Sequence, residues 1–213
     1  MIQRRRGDIV GVMAGLAVFG VSAAIAAQGN APGEVAVFEA VNSLSDRFNV
    51  VIWPFMQYGV FITIPLLVVV ALLFRRLRLA AGMAIAGVTV YLLARVAKDL
   101  VSRERPAAML PDVRSRETFV EGSLGYPSGH AAVAAALTVV VMPYLHGRWR
   151  YLPVALLAVV LIGRIYVAAH LPLDLIGGAA LGASAGFAAN LLVGVPAGDQ
   201  PLPAAPTTAE ATP

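Results

Sequence analysis

The chain has no cysteine, and charged residues fill only 13% of its 213 positions. The first absence excludes disulfides and thiolate metal sites. The second excludes an ordinary soluble domain, in which roughly 25% of residues are charged. Aromatic residues are sparse as well, at 8%. They do not interleave with basic residues as stacking on bases would require, so nucleic acid is not an expected partner. Histidine occurs three times, at His130, His146 and His170, and any imidazole chemistry must use these.

What is abundant is apolar. Hydrophobic residues make up 59% of the chain, against roughly 45–50% in soluble domains, and they fall in long runs. Arg4, Arg5 and Arg6 precede a run over 9–27 that ends Ala-Ile-Ala-Ala. A basic start, an apolar stretch and small residues at its end resemble a signal peptide. At ~19 residues the run is long for a signal core of ~7–15 and close to the ~20 that cross a bilayer. We read it as a retained first span. Further spans are expected over 51–74, 79–97, 130–145, 152–169 and 172–195. The last carries several Gly and Ala, which permit close helix packing. Between the first two spans, Val35, Phe38, Val41, Leu44 and Phe48 recur at helical spacing. That pattern suits a short amphipathic helix on the outer surface, with an exposed linker helix as the alternative. The Pro/Ala/Thr-rich stretch 196–213 reads as a disordered tail. The expected fold is all-α, six transmembrane helices in one domain over 1–195.

The arginines orient this bundle. Arg4 to Arg6, Arg75 to Arg78 and Arg148 to Arg150 fall on one side of a six-helix arrangement, and the positive-inside rule makes that side cytoplasmic. The loop 98–128 is then extracytoplasmic, yet it contains Lys98, Arg103, Arg105, Arg114 and Arg116. Cations on the wrong side suggest a bound anion. Asp99, Arg103 and Glu104 are expected to pair with one another. For Arg114 and Arg116 two readings stand, a second phosphate contact or a solvated loop.

Three polar clusters lie at the ends of apolar runs on this outer side. In the first, Lys98 and Arg105 are seven residues apart. On a helix continued past the membrane they would share a face to within ~20°, with Pro106 ending it or starting the next turn. In the second, Pro127-Ser128-Gly129-His130 opens a span. Ser128 suits the N-cap, Gly129 admits a ligand close to the backbone, and free N–H groups at a helix start bind phosphate. In the third, His170 and Asp174 are four apart and Pro172 fits a first helical turn. Asp174 is placed to reach a ring nitrogen of His170, as in an oriented nucleophile or base. Arg164, inside an apolar helix, is costly there and marks a functional site. A structural Arg164–Asp174 pair is the alternative.

In this order the three clusters resemble the type 2 phosphatidic acid phosphatase superfamily, which also includes bacterial acid phosphatases and vanadium haloperoxidases. Its first motif matches Lys98, Arg105 and Pro106, its second matches Pro127 to His130, and its third matches Arg164, His170 and Asp174. Gly163 stands where the family has serine. The resemblance implies that His170 attacks phosphorus to form a phosphohistidine, that Asp174 orients it, and that His130 protonates the leaving oxygen. It implies that Lys98, Arg105 and Arg164 hold the phosphoryl oxygens with Ser128 and the Gly129 amide. No metal or cofactor is implied. The expected substrate is a membrane lipid phosphate, with polyprenyl diphosphate first and phosphatidate or phosphatidylglycerophosphate next. A lipid phosphotransferase is a further enzyme reading, and a lipid-binding protein on a retired scaffold is the non-enzyme one. The expected location is the cell membrane, with the site on the extracytoplasmic side.

Overall fold

The computed structural model describes residues 2–118 and 123–197. The described residues are mostly helical: α1 (Arg6–Ala26), α2 (Glu34–Asn42), α3 (Asn49–Met56), α4 (Thr63–Leu73), α5 (Leu77–Val101), α6 (Pro106–Met109), α7 (Gly129–Val141), α8 (Tyr151–Tyr166) and α9 (Pro172–Val193). A two-residue strand β1 (Ile2–Gln3) pairs antiparallel with β2 (Val195–Pro196). Pro196, the first residue of the expected tail, is therefore in a strand, while 198–213 lie outside the described residues.

α7 is the centre. Ala131 to Thr138 and Val140 are all buried, and a helix apolar on every side belongs in a core. α5, α8 and α9 surround it. Its contact with α9 is set by glycines one turn apart. A Cβ on Gly178 would run into the Ser128 carbonyl, one on Gly182 into the Ala132 carbonyl, and one on Gly186 into Val139 and the Ala136 carbonyl. Without side chains there, the two backbones approach closely, the packing that small residues allow in apolar surroundings. On another face of α9, α1 packs through Gly11 against Phe187 and Gly15 against Ser184 and Ala180.

Four helices are long and apolar enough to cross a membrane, and a bent pair makes a possible fifth. Gly129–Tyr144, which is α7 and its terminal turn, is a shorter apolar helix. Two of the six expected spans differ from a long continuous helix among the described residues. The span expected over 51–74 is broken, with a 69° bend between Asp46–Gly59 and Thr63–Leu73. Pro54 removes a backbone donor inside α3, Val60 turns extended, and the Thr63 hydroxyl caps the break by donating to the Gln57 carbonyl at 2.8 Å. Gly59, at the bend, lies against the His130 backbone, where a Cβ would come within 2.6 Å of the carbonyl oxygen. Gly129–Tyr144 is only about 24 Å long at 1.5 Å per residue, against ~30 Å of hydrocarbon. Its far end adjoins the basic turn at 147–150, and His130 stands at the other end.

The basic clusters share one end of the bundle. Arg4 Nε donates to the Leu191 carbonyl at 2.9 Å, and Arg78 donates to the Val193 carbonyl. The three polar clusters lie at the other end. The segment expected as a surface amphipathic helix is present as α2, but it is not laid on a membrane surface alone. Phe38 is 2% exposed and packs with Ala131, Ile165, Leu171 and Leu175.

Candidate active site

His170 lies in the short connection between α8 and α9 and is 2% exposed. Its backbone N–H and that of Ala169 both donate to the Arg164 carbonyl, at 3.3 and 3.0 Å. Burial, followed by the charges of Arg164, Arg105 and Lys98, pushes the imidazole below its ordinary value of 6.5. The ring is therefore neutral at physiological pH and keeps a lone pair for attack. His130 lies within electrostatic range of Arg164, His170 and Arg105. Residues from all three motifs thus meet around His170.

Each arrives by a definable route. α5 ends at Val101, where Ser102 adopts the left-handed conformation (φ 51°) and donates its N–H to the Lys98 carbonyl. Arg105, held extended before Pro106, then starts a separate short helix. The expectation that Lys98 and Arg105 share one continuous helix is corrected, since a turn brings them together instead. Lys98 Nζ donates to the Leu124 carbonyl at 2.7 Å. Arg105 donates to Ser123 Oγ at 2.7 Å and to the Ala169 carbonyl, beside His170, at 2.9 Å. Ser128 caps α7, its Oγ accepting from the Ala131 amide at 3.4 Å. The space that a Cβ on Gly129 would enter is open to 4 Å, which leaves a clear approach to the helix start.

Asp174 Oδ2 is 3.6 Å from His170 Nδ1, near enough to act by charge but too far for a hydrogen bond. The carboxylate is instead fixed by other donors. Oδ2 accepts from the Leu171 amide at 2.9 Å, and Oδ1 accepts from Arg103 at 2.9 Å. This overturns the expected pairing of Arg103 with Asp99 and Glu104. Arg103 is 4% exposed and bridges Asp174 to Glu34, with Arg103 Nη2 to Glu34 Oε2 at 2.6 Å. Glu34 Oε1 also accepts from the Leu173 amide at 2.8 Å. Arg103 and Glu34 are the residues that sequence reasoning missed. A cation two before Arg105 was visible, but nothing local in 28–50 pointed to a carboxylate reaching it.

Arg164 pairs with Glu117 at 2.6 Å, not with Asp174. Glu117 follows Arg116, which is immobilised. Arg116 stacks 4.0 Å over the Tyr166 ring and donates to Asp46 and to the carbonyls of Asn42, Tyr166 and Leu44. Arg116 is thus neither a solvated loop residue nor a second phosphate contact; it is an anchor that holds the 107–118 segment over α8. Arg114 is tied to the same helix end, its amide donating to Asn42 Oδ1 at 3.0 Å. Gly163 fits because α3 is close. A Cβ there would lie 2.9 Å from both Ile52 and the Met56 sulfur.

A cavity of about 200 Å³ adjoins this site on the side of His130, lined in part by Gly59, Phe61, Tyr91, Arg95, Lys98 and His130. A larger groove of about 590 Å³ between α1 and α9 is almost wholly apolar and contains none of the three motifs' charged side chains.

Buried cations gather around His170 at one end of a bundle whose helices are long and apolar enough to cross a membrane, which is the class of a multi-pass membrane protein with a cationic site. The chain belongs to the PAP2 superfamily, whose family model matches residues 75–195. It is similar in fold to LpxE of Aquifex aeolicus, with 22% identity and a TM-score of 0.67 over 73% of this chain and 93% of that one. It is similar also to the PAP2-type phosphatidylglycerolphosphate phosphatase of Bacillus subtilis, with 22% identity and a TM-score of 0.66 over 83% of this chain and 94% of that one. Comparison with curated proteins gives no match.

Proposed function

We propose that the protein is a lipid phosphatase that works through a phosphohistidine on His170. The observation that carries this reading is the meeting of Lys98, Arg105 and Arg164 on a buried neutral imidazole. Phosphoryl transfer asks for positioning and charge stabilisation above all, and this arrangement supplies both. His170 attacks phosphorus. The three cations, with Ser128 and the Gly129 amide, hold the phosphoryl oxygens. His130 gives a proton to the leaving oxygen and then takes one from the water that hydrolyses the intermediate. Asp174 offsets the charge that His170 gains on attack. The substrate is a lipid because the site sits among membrane helices, where a head group can enter while its chain stays in the bilayer. A polyprenyl diphosphate is the leading candidate. The membrane is the cell membrane, with the site on its outer face, as the basic clusters at the opposite end support.

The test is phosphate release by detergent-purified protein, with chelator present, from polyprenyl diphosphate, polyprenyl monophosphate, phosphatidate and phosphatidylglycerophosphate. Release from at least one lipid, lost in His170→Ala, is the expected result. Wild-type rates in His170→Ala would overturn the assignment of the nucleophile.

A further inference from the structure

Arg95 is an arginine in the interior of α5, and the three motifs do not use it. Its side chain is exposed, two residues before the end of the expected span 79–97. The other arginines near the site have carboxylate or carbonyl partners. Among the described residues Arg95 has only an aromatic face, its guanidinium lying 5.8 Å from the Tyr91 ring centroid. Tyr91 is in turn held by Phe61 at 4.7 Å. The guanidinium lies back toward Tyr91, one turn deeper, along the natural tilt of helical side chains.

Arg95 lines the cavity of about 200 Å³ together with Lys98, Gly129 and His130. Arg95 and Lys98 stand three residues apart, on one face of α5. His170, Arg105 and Arg164 are not in that lining. The cavity therefore opens from the side of the proposed proton donor, which is the side of the leaving group. Two basic residues thus line one cavity with no carboxylate in its lining, an arrangement that suits an anion.

We propose that Arg95 binds the leaving phosphate of a lipid diphosphate, so that the chain is built for diphosphates over monoesters. The proposal rests on the phosphatase reading and deepens it. His170 attacks the terminal phosphorus. The bond from that phosphorus to the bridging oxygen breaks, and its electron pair stays on the bridging oxygen, now part of a lipid monophosphate. Water then cleaves the phosphohistidine to orthophosphate, so diphosphate and water give monophosphate and orthophosphate. A departing phosphate carries added negative charge that a guanidinium can meet. A departing alkoxide from a monoester has no second phosphate for Arg95 to hold and depends on the proton of His130 alone.

The experiment compares kcat/KM for a polyprenyl diphosphate and for the monophosphate of the same chain, in wild type, Arg95→Gln and Arg95→Lys. A charge-assisted contact to phosphate lost from the transition state lowers the diphosphate-to-monophosphate ratio by about tenfold to a hundredfold in Arg95→Gln. Arg95→Lys is expected to recover much of it, which a folding defect would not show. An unchanged ratio, whether from no loss or from equal loss on both substrates, overturns the subsite. A wild-type enzyme active on the monophosphate alone overturns the subsite and leaves the phosphatase reading standing. A folded wild type that releases phosphate only from phosphatidate or phosphatidylglycerophosphate likewise overturns the subsite alone, and one that releases it from none of the four lipids removes the phosphatase reading and the subsite with it.

Discussion

Glu34→Gln tests whether the segment before the family region is part of the active site. Glu34 has a side chain 2% exposed and four donors. Oε1 accepts from Arg103 Nη1 at 3.1 Å and from the Leu173 amide at 2.8 Å. Oε2 accepts from Arg103 Nη2 at 2.6 Å and from the Ala31 amide at 3.1 Å. Each oxygen thus faces two donors. Glutamine has one acceptor oxygen, so its NH2 must face two donors in either orientation. At least two hydrogen bonds are lost, one of them charge-assisted, and Arg103 is left with less buried negative charge. Breaking a buried pair from one side costs about 3–5 kcal/mol, a large part of the ~5–15 kcal/mol that stabilises a domain. The variant should therefore show a clear fall in Tm in detergent. Arg103 also holds Asp174, so kcat for phosphate release should fall with little change in KM. Glu34→Asp keeps the charge and both oxygens and should be milder on both counts. A Tm and kcat for Glu34→Gln equal to wild type would refute the claim that this bridge supports the site.

The remaining expectations are shorter. Asp174→Asn places an NH2 against either Arg103 or the Leu171 amide and removes the charge beside His170. It should lose about 10²- to 10⁴-fold in kcat while remaining folded, and wild-type turnover would show the carboxylate to be structural. Glu117→Gln removes a carboxylate from Arg164, and the Glu117 side chain is 36% exposed. Orthophosphate should then inhibit more tightly, and unchanged inhibition would mean that Glu117 does not compete with phosphate. Because the fold holds His170 below 6.5, the unfolded chain takes up a proton below that pH that the folded one refuses. Wild-type stability should fall as pH drops from about 7 to 5, and His170→Ala should lose less of it in thermal melts; parallel curves would count against a buried neutral ring. Gly182→Ala pushes a methyl group into the Ala132 backbone, and overpacking of about 1–3 kcal/mol should lower Tm.

The chemistry was legible in the sequence where it is local and obscured where it is not. The Ser128 cap, the Pro172 helix start and the Gly-rich face of α9 each depend on residues within a turn or two, and the structure has all three. Lys98 and Arg105 were read as neighbours for a mistaken reason. Seven residues return to one helix face, but Ser102 breaks the helix and the approach is made by a turn. The bend in the second apolar run is masked by composition, because 51–74 is apolar almost throughout and only Pro54, Gly59 and Pro65 punctuate it. The Glu34–Arg103 pair joins positions 69 apart, which no periodicity encodes. A buried ion pair is weak support for stability on its own, since apolar residues of the same shape pack as well. What charge adds here is direction. In the proposed mechanism Asp174 must stay ionised and aimed at His170 in a site crowded with cations, and any of those could draw it away. Arg103 holds one of its oxygens and the Leu171 amide the other, while Glu34 fixes Arg103. The cations thus divide by their partners. Arg103 faces two buried carboxylates, as a fixed support would. Arg164 faces the partly exposed Glu117, the pair that the proposed phosphate is expected to displace.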